Sequence, residues 1–165
     1  MDIEAESRRE MFARYGVAAY QAQCFEFELG NILSLQIRLD GKVNSLEELF
    51  TLDERISKKT LGGLLTEVRK FVNFDTKSEE ILNEGLSKRN YLTHNYFSDN
   101  SIKILSLLGR DEMIIQLDNL SEAFKIAEAL VQNLTKLLMQ KLGITDEHVK
   151  TEYEKLLKLE YARNK

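Results

Sequence analysis

The stretch 11-MFARYGVAAYQAQCFEFELGNIL-33 decides the fold class, because its apolar residues keep a helical rather than a strand spacing. Met11, Tyr15, Ala18, Ala22, Phe25, Leu29 and Ile32 advance by alternating steps of four and three. Such steps come back to the same side of a 3.6-residue helix, whereas a half-buried strand needs every second residue. Phe12, Ala19 and Leu33 form a flanking stripe, and Glu26 stands in that flank where an apolar residue is expected. The helix should end near Asp40-Gly41, since glycine suits the position just beyond a helix C-terminus.

The same periodicity continues along the chain. Ser45-Leu46-Glu47-Glu48 has the spacing of a capping box and predicts a short helix. In 57-SKKTLGGLLTEVRKFV-72, Leu61, Leu64, Leu65, Val68 and Phe71 share one side, and Gly62-Gly63 is expected to let another helix approach closely. No Lys-Ser/Thr follows that pair, so it is not a phosphate-binding loop. Thr76 with Glu79 predicts the start of a further helix. A short apolar piece, 102–108, precedes a long helix expected from Asp111 to Leu142. Ile114, Leu117, Phe124, Ala127, Val131, Leu134 and Leu138 should face inward there, with Gly143 as the stop. Thr145 should cap a charged terminal helix reaching about Ala162. No segment reads as a strand. The expectation is an all-α, antiparallel up-and-down helical bundle of about four main helices plus short ones. Residues 1–144 would form the bundle and 145–165 a C-terminal extension of the same domain.

Composition bounds the function. A chain of 165 residues can bury a core without disulfides or metals. Cys24 is the only cysteine and 10 N-terminal residues, MDIEAESRRE, lack an apolar signal region, so a reducing cytoplasm is the expected setting. No apolar run is long enough for a transmembrane helix, and no membrane partner is expected. A net charge of −4 excludes a generic nucleic-acid coat, though not a local phosphate site built from one or two cations. The two histidines, His94 and His148, lie far apart with no Cys or His at ligand spacing, so neither a metal nor another cofactor is expected.

The unusual polar residues fall in 86-LSKRNYLTHNYF-97. On an unbroken helix, Leu82, Leu86, Arg89, Thr93 and Tyr96 share one stripe, while Asn90 and His94 are neighbours on the adjoining face. His94 then lies roughly 140° around from Arg89. Either the arginine bends across, or a second subunit supplies the missing partner. An arginine on an apolar stripe also requires a carboxylate or a bound anion, and Glu26 is the expected partner. The plainer reading is an arginine at the bundle edge and a solvated histidine.

The string R-N-x-x-x-H-x-Y, here Arg89 to Tyr96, resembles the signature of the HEPN superfamily. These are small helical bundles with an arginine, four to six residues, then a histidine. Tyrosine two residues after the histidine is similar to the branch found as toxins paired with a minimal nucleotidyltransferase antitoxin. The motif covers residues 89–96, and the likeness in architecture covers 8–142. The resemblance implies a metal-independent endoribonuclease, a toxin or anti-phage effector. It would act as a homodimer on an RNA substrate and leave a 2′,3′-cyclic phosphate. RNA carries its own nucleophile in the 2′-hydroxyl, so a catalyst need only move a proton and stabilise charge on the phosphate. His94 suits the first task and Arg89, with its fork of donors, the second. Asn90 would orient the imidazole. Tyr96 has two readings, a hydroxyl that the partner enzyme nucleotidylates or a packed bundle tyrosine. Lys88 is either an added phosphate contact or a solvated lysine, His148 is read as exposed, and Cys24 as a packed thiol. The alternative function is a non-catalytic HEPN-like domain that dimerises or binds a nucleotide or a nucleotidyltransferase.

Overall fold

The computed structural model describes residues 2–43 and 45–163; residues 1, 44, 164 and 165, which the expected bundle and extension include, lie outside the described residues. The chain is all-α, with no strand among the described residues. In order, it forms α1 (Ile3–Leu39), α2 (Leu46–Ser57), α3 (Leu61–Val68), α4 (Thr76–His94), α5 (Tyr96–Asp99), a 3-10 turn (Lys103–Leu105), α6 (Leu107–Lys141) and α7 (Asp146–Arg163). Contacts between the helices fix their directions. Ser34 meets Asp53 and Gly30 meets Ile56, so α2 returns along α1. Gly85 sits against Phe25 and Ala127 while Tyr96 bonds to Met113, so α4 runs against both α1 and α6. α1 and α6, which share the most extensive interface, run parallel: Arg110 reaches Glu4 and Ser7, and Arg14 reaches Asp118.

The expected stripe of α1 is the core. Met11, Ala18, Ala22, Phe25, Leu29 and Ile32 are all buried. Their partners separate into two clusters. One gathers Phe25, Leu29 and Ile32 with Leu61, Leu64, Leu65, Val68, Leu82, Ala127 and Val131. The other gathers Met11, Ala18 and Ala22 with Leu92, Tyr96, Met113, Leu117, Leu120 and Phe124. The second cluster seats the end of α4. Gly85 is the close-approach glycine of the bundle, because a Cβ there would lie 3.0 Å from Phe25 and 3.2 Å from Ala127. The Gly62-Gly63 pair does not serve that purpose: a Cβ on Gly62 would stand 3.8 Å from Leu86, an ordinary contact.

Several boundaries differ from expectation for identifiable reasons. The stretch 57–72 is not one helix, since Thr60 opens α3 by accepting from the Gly63 amide. Asp75, not Thr76, caps α4, its carboxylate accepting from the Ser78 amide at 2.7 Å. Glu79 turns instead to Arg69 at 3.1 Å. Ser106 caps α6, so this helix begins four residues before Asp111 and takes in Leu107 and Leu108. Gly41 and Gly143 adopt φ of 69° and 70° just beyond α1 and α6, as glycine alone does readily. α7 has no buried residue; Thr145 and His148 cap its start reciprocally, each side chain accepting from the other's amide at 3.3 Å.

Candidate functional site

The helix carrying the motif is not unbroken. α4 ends at His94, Asn95 takes φ −120°, and α5 resumes at Tyr96. Neither glycine nor proline causes the break. At this point the Leu92 carbonyl accepts from the Tyr15 hydroxyl at 3.4 Å, and a side chain that engages the carbonyl ladder is a recognised source of a kink. Beyond it, the Tyr96 ring packs among Tyr15, Tyr91 and Phe97, with centroids 5.4–5.9 Å away. Asn100 is buried and ties the turn together, donating to the Tyr96 carbonyl at 2.8 Å and to the Tyr91 hydroxyl at 3.3 Å. Gln116 of α6 donates to the same Tyr91 hydroxyl at 3.0 Å.

Arg89 and Glu26 meet as the two misplaced charges required. The Arg89 Nη2 lies 3.1 Å and 3.5 Å from the two carboxylate oxygens, and both side chains are 23% exposed. The contact is through one nitrogen, so the fork is only partly engaged. Arg89, Glu26, Tyr15, Gln23, Leu92 and Thr93 line a depression of about 270 Å³ between α1 and α4. His94 does not line it. Its imidazole is exposed at the last residue of α4, with no side-chain partner among the described residues. The single chain therefore does not bring Arg89 and His94 into one depression.

The supporting residues divide in the same way. The Asn90 carboxamide accepts from Arg89 at 3.5 Å and makes no hydrogen bond to His94 among the described residues, so it does not hold the imidazole through one here. Lys88 pairs with Glu84 at 2.6 Å and lines a different depression, between α4 and α6. Tyr96 is 1% exposed and its hydroxyl donates to the Met113 carbonyl at 3.0 Å. Burial first, and Tyr91 second, push its pKa far above the ordinary tyrosine value. In this conformation no enzyme reaches that oxygen; it is a packed tyrosine, but under Tyr15 and Phe97 rather than under Arg89.

Cys24 is half-buried beside the Tyr20 hydroxyl, whose pKa it raises. Tyr15, Gln23 and Thr93 also line the depression, and the sequence marked none of them as a site residue; Tyr15 and Thr93 were hidden because they also belong to helical stripes. Among the described residues, no helix is long and apolar enough to cross a membrane, and no three His, Cys, Asp or Glu side chains gather as metal ligands. No family model matches the chain, and neither a curated protein nor a solved structure matches it.

Proposed function

We propose that the chain is a HEPN-like, metal-independent endoribonuclease of the toxin or anti-phage type, acting as a two-fold pair in the cytoplasm. The observation that carries this reading is the R-N-x-x-x-H-x-Y string at the end of α4, with a partly engaged Arg89 fork and an unpartnered, exposed His94 on either side of one helix. An isologous pair presents two copies of each group, so the arginine of one chain can serve a phosphate while the histidine of the other moves the proton. In the first step, the 2′-oxygen loses its proton to an imidazole and attacks phosphorus. The P–O5′ bond breaks, and the departing 5′-oxygen receives a proton from the second imidazole. The products are a 2′,3′-cyclic phosphate and a 5′-hydroxyl. The incoming phosphate takes up donors of Arg89 that Glu26 leaves open.

The purified protein should cleave RNA in the presence of chelator. His94→Ala should lower the rate by about 10²–10⁴-fold, the usual worth of a positioned proton-transfer group. Arg89→Lys, which keeps charge but loses the fork, should cut it severely as well. Full activity of either variant overturns these roles.

One observation favours a second reading. Arg89 already has an internal carboxylate partner, and His94 does not line the depression that holds it. A non-catalytic domain that dimerises, or binds a nucleotide or a nucleotidyltransferase, would show that arrangement too. RNA left intact by wild type would favour it. A nucleotidyltransferase partner acting on Tyr96 would have to expose the buried hydroxyl first.

A further inference from the structure

Glu26 stands between two depressions: with Gln23, it lines both the one holding Arg89 and a second, of about 530 Å³, between α1, α2 and α3. That volume is within the range of ligand clefts, roughly 300–1,000 Å³. Apolar groups supply its floor. Gly30 brings α2 close, since a Cβ there would lie 3.2 Å from Ile56, and buried Leu64 lies beside them. Phe27 belongs to the same lining yet is 69% exposed, a large ring left mostly uncovered. The rim is polar. The Asp53 carboxylate accepts from the Ser34 hydroxyl at 3.2 Å, and no cation pairs with it among the described residues. Lys59 and the Asn31 carboxamide complete the lining.

We propose that this depression binds the guanine base of the nucleotide adjoining the phosphate held at Arg89. Guanine presents two neighbouring N–H donors, N1 and N2, on one edge, and a single carboxylate accepts both. Its O6 and N7 acceptors suit Lys59 and Asn31. Adenine sets an acceptor, N1, beside its amino group and would oppose Asp53. Uracil and cytosine offer less ring to cover with Phe27. Base–aromatic stacking supplies affinity, and the carboxylate supplies choice. An acidic lining, unsuited to a phosphate, is suited to a base read by its N–H groups. The inference rests on Arg89 as the phosphate-holding group.

The test is titration of the His94→Ala protein with the four nucleoside 3′-monophosphates, followed by calorimetry and amide NMR shifts. Guanosine 3′-monophosphate should bind at least about tenfold more tightly than the other three. Asp53→Asn should abolish that preference. Phe27→Ala should weaken binding about tenfold. Both residues are exposed, so circular dichroism should show both variants folded. Equal affinities, no saturable binding, or a preference that survives Asp53→Asn overturns the pocket. Selective guanosine binding by a protein that never cuts RNA would keep the pocket and overturn the nuclease reading; cleavage without any nucleotide preference would do the reverse.

Discussion

Gly109 sits where the 3-10 turn closes on the start of α6, and a Cβ there would lie 2.2 Å from the Lys103 carbonyl oxygen. The obstacle is backbone, so it cannot swing aside. Gly109→Ala should therefore cost about 2 kcal/mol or more in urea unfolding. Gly62→Ala, with only an ordinary contact to meet, should be neutral or stabilising by up to about 1 kcal/mol. Next to Gly109, Arg110 is fully buried, its guanidinium shared among Glu4, the Ser7 hydroxyl and the Ile104 carbonyl. The pairing of Arg89 with Glu26 was legible because each is a charge on an apolar stripe. Arg110 carried the same signal, standing in step with Met113, Leu117, Leu120 and Phe124. It was missed because the helix was expected to begin at Asp111, one residue too late to include it.

Among the helices, those with long apolar stripes could be read from spacing alone, and the local caps could not always be placed. Asp75 and Thr76 are both good capping residues, and only the backbone shows that Asp75 holds the position. The Ser78 amide donates to its carboxylate and lowers its pKa below the usual range. A depressed carboxylate contributes stability above its unfolded pKa and loses it as pH falls through the folded one. Melting temperature should thus fall less steeply between about pH 5 and pH 2 for Asp75→Asn than for wild type; parallel curves would deny the cap its charge. The break at Asn95 had no counterpart in sequence, because tertiary partners impose it: Tyr15 on the Leu92 carbonyl and Tyr96 on the Met113 carbonyl. Tyr96→Phe leaves the rings packed but strips one buried hydrogen bond. It should cost about 1 kcal/mol by chemical denaturation. A stability equal to wild type would mean that this bond does not help hold the turn.

Across the molecule, α1 and α6 run parallel with α4 against them, so residues distant in sequence, Glu26 and Arg89, meet at one groove. That architecture follows from periodicity and short connections. What periodicity could not supply is the relation between Arg89 and His94. Their offset around α4 was readable, but whether another copy closes it depends on a surface that no stripe specifies. A two-fold pair would unite them, and pairing with a silent chain isolates this claim. A mixed dimer of a wild-type chain with an Arg89→Ala, His94→Ala chain keeps one imidazole, short of the two that the cleavage step uses. After denaturation and refolding together with an excess of the double variant, RNA cleavage per wild-type chain should fall roughly in proportion to the wild-type fraction of the mixture. Cleavage per wild-type chain that stays unchanged while mixed dimers form would contradict the shared site.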